Sequence, residues 1–173
     1  MTFKGHLSGG MVAGITLTGL AAHWGYIPGG DYRVWAAVCG VTVFFSLFPD
    51  LDTASLVQRW FFRWVFLVLV YLGWNEQYEL ATLLGILAVL PLLDHHRGWT
   101  HRKISPLLVP VLLGATYEYW RVRQIWFGEF SWINVTQILE EHLVFLVASI
   151  VGWYTHLVLD GCFKLFPTSS DHH

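Results

Sequence analysis

The residues of this chain that could hold an ion or move a proton gather at the edges of apolar stretches. They are His6, Asp50-Leu51-Asp52, His96-Arg97-Gly98-Trp99-Thr100-His101, and His156 with Asp160. Ionisable groups are costly near hydrocarbon, and where a chain keeps them there they mark sites or ion paths. His156 and Asp160 are four residues apart and so share one helical face. Both can reach one ion, or one can ligate while the other orients it; the plainer use is a pair that satisfies itself inside a bundle. Asp50 and Asp52 follow Pro49. In an extended segment residues i and i+2 point the same way, which would turn both carboxylates toward one site. Two carboxylates held together repel and one pKa rises, a conflict that a divalent ion removes. A solvated turn or a helix N-cap is the plainer use of Asp-Leu-Asp.

The segment from His96 to His101 is the most specific. Its two histidines are spaced too unevenly for one face of a regular helix, so a turn at Gly98 is needed to bring them together. Arg97 offers a planar donor fork suited to phosphate or carboxylate. Thr100 can buttress a ligand or cap the following helix. Asp94 and His95 compete with His96 as ligands, and spacing does not choose among them. His6, taken alone, reads as a surface residue at the start of an apolar segment. His23 and His142 fall away from the other clusters, and His172 and His173 are left out of the metal argument.

The elements that must position these residues are apolar. Hydrophobic residues make up 55% of the 173-residue chain and charged residues 13%, against about 25% charged in a soluble domain. Ten Trp and seven Tyr suit a chain with aromatic belts at membrane interfaces. A net charge of -2 with no basic run gives no footprint for nucleic acid. Cys39 and Cys162 lie in apolar segments and read as small core residues, not as a disulfide. Lys4 and His6 precede a Gly-rich segment without a clear cleavage site, so that segment is expected to be retained. No internal repeat is visible, and residues 1–173 read as a single membrane-embedded domain.

Apolar runs predict six helices, at roughly 7–26, 34–48, 60–75, 78–93, 105–120 and 141–163. The expected fold class is all-α, a polytopic membrane bundle of about five to six helices. Several runs are short of the ~20 residues that span the hydrocarbon, a deficit that bilayer thinning or snorkelling flanks can absorb. The runs are too long and too irregular for strands. Residues 121–140 read as the longest connection. Pro106 suits a first helical turn, whereas Pro110 is expected to kink the fifth helix. Threaded alternately, the six runs put the N-terminus, the 49–59 and 94–104 loops and the tail on one side, together with all four clusters. That side also receives Lys4, Arg59, Arg97, Arg102, Lys103 and Lys164, against Arg33, Arg121 and Arg123 on the other. By the positive-inside tendency the clusters then face the cytoplasm.

Four segments together resemble the YdjM-like family of membrane-bound metal-dependent hydrolases: Gly5-His6-Leu7, Phe48-Pro49-Asp50-Leu51-Asp52, His96-Arg97-Gly98-Trp99-Thr100-His101, and Gly152-Trp153-Tyr154-Thr155-His156-Leu157-Val158-Leu159-Asp160. An early His, a Pro-Asp-x-Asp, a His-Arg-Gly-x-Thr-His and a late His-x-x-x-Asp occur in the family's order across nearly the whole chain. Thr53 stands where members often have His, and Arg102 where they often have Ser. The resemblance implies an inner-membrane helical protein with a divalent metal site and hydrolase character, and it supplies no substrate.

Mixed His and Asp donors suit zinc, or else manganese or iron, better than magnesium or calcium. The expected ligands are His6, Asp50, Asp52, His96, His101, His156 and Asp160, enough for one or two ions. Arg97, Asp52 and Thr100 form the expected catalytic set. A site at headgroup depth points to membrane lipids as partners and to a lipid or other phosphoester as substrate; oligomeric state is not set by the sequence. Two other readings stand beside the hydrolase: a structural metal that staples the bundle, and a metal-ion or proton transporter.

Overall fold

The computed structural model describes residues 3–52, 55–93 and 99–162, and among them all regular structure is helical. The helices are α1 (Phe3–His23), α2 (Tyr32–Leu47), α3 (Leu56–Trp74), α4 (Tyr78–Val89), α5 (Ser105–Arg123), α6 (Trp132–Glu141) and α7 (Leu143–Leu159). Short 3-10 segments cover Phe48–Asp52, Leu90–Leu93 and Trp99–His101. The helical bundle expected from the apolar runs is the fold, with α6 as an additional helix inside the 121–140 connection. Ser131 caps α6 by accepting a hydrogen bond from the Ile133 amide at 3.2 Å.

The core is α2 held between α1 and α7. The buried side of α1 is His6, Gly10, Gly14, Thr18 and Ala21, residues three or four apart along one stripe. The small members of that stripe let two backbones close up. A Cβ on Gly10 would strike Ser46 Oγ of α2, and one on Gly14 would lie 2.9 Å from Cys39 Sγ. On an adjoining part of α2, a Cβ on Gly152 of α7 would strike the Thr42 carbonyl oxygen. Close approach over small residues is how helices pack where lipid supplies no hydrophobic drive between them. Both stripes end on chemistry: α1 arrives at His6, and α7 runs Ala148, Gly152, His156 to its C-cap Asp160.

α3 and α4 pair beside this core, and α5 packs against α6 and α7. α3 buries only Leu72 and leaves Trp60, Trp64 and Phe66 exposed along its length. Buried Glu118 of α5 accepts from Arg121 Nε at 2.7 Å and from Asn134 Nδ2 of α6 at 2.8 Å, which ties the two helices together. α5 runs through Pro110 as one helix. Cys39 and Cys162 are free thiols and half-buried.

Among the described residues, two helices are long and apolar enough to cross a bilayer, Tyr32–Asp52 and Leu56–Trp74. The pair Trp132–Glu141 and Leu143–Leu159, bent by 82°, makes a third if it is one broken span. That is fewer than the six runs threaded in sequence. α4 and α6 are too short, and the polar half of α5 dilutes its apolar start.

Candidate metal centre

Three chain segments converge at one end of the α1–α2–α7 core: the start of α1, the 3-10 turn after α2, and the 3-10 turn before α5. The last turn of α7 completes the cluster. His6 stacks on His156 with ring centroids 4.0 Å apart and 20° between planes. Its Nε2 lies 3.1 Å from Asp160 Oδ1. His156 Nε2 lies 3.4 Å from His101 Nε2, 3.5 Å from Asp160 Oδ2 and 3.9 Å from Asp50 Oδ1. His101 Nε2 is also 3.7 Å from Asp160 Oδ2. Two overlapping sets of donors therefore lie within 4.8 Å of one another, His6–Asp50–His156 and His101–His156–Asp160.

The outer nitrogens of two rings fix what the inner ones carry. His156 Nδ1 is 2.9 Å from the Ser46 carbonyl oxygen, so it is the protonated nitrogen and donates. The Thr100 hydroxyl donates to Asp52 Oδ2 at 2.9 Å, and its single proton is then spent. It must accept from His101 Nδ1, 3.0 Å away, which places that ring's proton on Nδ1 as well. Both Nε2 atoms are left as lone pairs facing each other. Such an arrangement repels unless a cation sits between them. Outer donors that set the tautomer and raise the basicity of the inner nitrogen are what metal-binding histidines use. The spacing also fits, since bonds of about 2.1 Å set tetrahedral corners about 3.4 Å apart. His6 adds a third sign: it is 1% exposed and its Nδ1 has no hydrogen-bond partner among the described residues. The residues present thus fit a divalent ion with mixed nitrogen and oxygen ligands.

The frame around the site is made by residues that spacing alone did not single out. Trp153 Nε1 donates to the Thr100 carbonyl at 2.9 Å, and the Tyr154 hydroxyl donates to the Lys103 carbonyl at 2.8 Å. Ser105 Oγ donates to the Trp99 carbonyl. The turn that carries His101 is therefore pinned to α7 a few residues before His156. Ser46 supplies the carbonyl for His156, and its hydroxyl proton is shared between the Val43 carbonyl at 2.8 Å and the His6 carbonyl at 3.2 Å. On α3, Ser55 Oγ donates to the Asp50 carbonyl at 3.1 Å and Gln58 Nε2 to the Leu51 carbonyl at 3.0 Å. The signal for Trp153 and Tyr154 was their place in the late motif. That for Ser46 was a hydroxyl on the buried stripe of an apolar helix.

His6, Asp50, His101, His156 and Asp160 are brought together. Asp52 stands just outside both donor sets, behind His101 and in reach of it at 3.5 Å. Asp50 and Asp52 do not point the same way, because the segment is a 3-10 turn and not extended. At three residues per turn, positions i and i+2 diverge. The N-cap of α3 is Ser55, not either aspartate. Thr100 is buried, with its hydroxyl engaged between Asp52 and His101. His96 and Arg97, with Asp94 and His95, lie outside the described residues. His23 and His142 are exposed at the far end of the core.

Fold and cluster define an all-helical membrane bundle with a candidate metal centre at one end. The family model described as YdjM inner membrane protein matches residues 1–168, and the chain belongs to that family. No curated protein and no solved structure matches it.

Proposed function

We propose that the protein is a metal-dependent hydrolase of the inner membrane that cleaves a phosphoester in a lipid headgroup at the cytoplasmic face. The observation that carries the proposal is the pair of lone-pair Nε2 atoms, of His101 and His156, held 3.4 Å apart beside the Asp160 and Asp50 carboxylates. His6, Asp50, His101, His156 and Asp160 would hold one or two ions, of zinc or else manganese or iron. When bound, the ion supplies Lewis acidity at a phosphoryl oxygen and brings the pKa of water toward neutrality.

The chain's own residues do the rest. The Ser46 carbonyl and the Asp52–Thr100 pair hold both rings in the tautomer that carries its proton on Nδ1. Asp50 has a 22% exposed side chain against 9% for Asp160, so it is the carboxylate at the mouth. It is placed to take the proton of the attacking water. Hydrolysis then forms a bond from the water oxygen to phosphorus and breaks the ester P–O bond, and the departing alkoxide is protonated by solvent. Steadying of the phosphoryl oxygens is expected of Arg97, on sequence grounds. Lys4, Arg59, Arg102 and Lys103 flank the site end of the chain, which supports the cytoplasmic side.

The near-complete burial of His6 and His156 favours one other reading, a metal that only staples the bundle. Elemental analysis of tag-free protein in detergent, with turnover of phospholipids and soluble phosphoesters, separates the two. The expected result is one or two transition ions per chain, lost in His156→Ala and Asp160→Ala, with turnover lost in Asp50→Ala. One tightly held ion without turnover of any phosphoester establishes the staple. No metal after reconstitution reduces the cluster to a polar network and overturns both.

A further inference from the structure

Beside the cluster, α1, α2 and α3 enclose a groove of about 380 Å3, lined by apolar and aromatic side chains alone. Phe3, Phe48, Leu51, Leu56, Trp60 and Trp64 are among them. The groove and the cluster are built from the same segments. Phe3 lies one turn before His6 on α1, and Leu51 sits between Asp50 and Asp52 in the 3-10 turn. The groove and the cluster thus share the start of α1 and the turn after α2.

What can fill it follows from its outer wall. That wall is α3, a candidate membrane span with only 6% of its length buried. Trp60 and Trp64 line the groove and are 52% and 62% exposed. The groove is therefore continuous with the surface that α3 presents to lipid. Its size falls in the range of ligand pockets, about 300–1,000 Å3. A cation stands against its wall: Arg63 is exposed on α3, and its guanidinium lies 5.5 Å from the centre of the Trp60 ring.

We propose that this groove binds one fatty-acyl chain of an anionic bilayer lipid, taken in from the leaflet along α3, so that the headgroup is left beside Asp50. The acyl chain exchanges lipid contacts for contacts with Phe48, Leu51 and the tryptophans, while Arg63, beside Trp60, meets the headgroup's negative charge. This deepens the hydrolase reading and rests on it only for what happens at the headgroup.

The test is photo-cross-linking in nanodiscs of phosphatidylethanolamine and phosphatidylglycerol, the latter carrying a diazirine midway along one acyl chain. Adducts are mapped by mass spectrometry. The expected result is enrichment on the Phe48–Asp52 turn and the first two turns of α3, over the exposed lipid side of α5 near Leu107. Val57→Trp, which fills the groove, should lower those adducts about tenfold, equivalent to 1.4 kcal/mol. Trp64→Ala, at an exposed position that leaves the core packing alone, should lower them too. Metal content and monodispersity report that each variant is folded. Adducts spread evenly over the lipid-facing helices, or unchanged in Trp64→Ala, overturn the proposal. Cross-linking is read without turnover. Adducts in the groove of a protein inactive on every phosphoester would leave the lipid site standing and remove the hydrolase. Turnover without enrichment would remove the lipid site alone.

Discussion

At the scale of single residues, the candidate ligand side chains are positioned by groups outside both donor sets. Thr100 is the sharpest case, because one hydroxyl proton settles which nitrogen of His101 carries the ring proton. Thr100→Val keeps the shape and removes the relay, so metal affinity should fall by about 10–100-fold. Thr100→Ser should restore it; competitive titration against a chelating dye checks both. A buttress that acted only through packing would show the opposite ranking. Most of the ligand types were legible in the sequence, since His and Asp stand out in a chain with few charges. Their grouping was legible less far. Asp50 and Asp52 were read as a pair, and the 3-10 geometry sends them to different neighbours. Backbone partners such as the Ser46 carbonyl carry no side-chain signature and could not be read at all.

At the scale of elements, glycine placement sets the register that delivers His156. Gly152 lies one turn before it on the same stripe, against the Thr42 carbonyl. Gly152→Ala should overpack that contact, costing about 1–3 kcal/mol, and should weaken metal binding by displacing the following turn. Gly40, on α2, has nothing within 4 Å of an added Cβ. Gly40→Ala should instead stabilise by about 0.5–1 kcal/mol through helix propensity. Thermal unfolding in one detergent, with metal content, reads both. Helices long and apolar throughout were legible as runs, to within a few residues at their ends. α6 was not, because Asn134, Thr136 and Gln137 interrupt the run. Its apolar positions recur with helical period on one side only, and Ser131 marks its start.

At the scale of the whole molecule, residues far apart in sequence are closed into one end of the bundle by buried acidic and imidazole groups. An ion held by these donors would bind the folded chain and not the unfolded one, so the apo protein should be the weaker fold. Chelation should lower the unfolding temperature in detergent, and metal restored at a hundredfold excess over Kd should return about 2.7 kcal/mol. An unfolding temperature indifferent to metal would mean that the cluster is already satisfied without it. The convergence of the clusters was legible from alternate threading, although only two or three helices meet the length and apolarity of a span. Threading succeeded because it needs only the order in which helix ends meet, whereas counting crossings needs lengths that α4 and α6 lack.

The cluster draws on His6 in the first helix and Asp160 at the cap of the last. During synthesis, then, the cluster is not assembled until residue 160 has left the ribosome. At about 5–20 residues per second, the first histidine waits on the order of ten seconds or more for its partners. Through that interval the stripe of α1 can close on α2 over Gly10 and Gly14, while the members of the two donor sets are still apart. An ion shared by these donors would therefore be loaded only after α7 has been made, and a product truncated before α7 would carry His6 without the partners it has in the cluster.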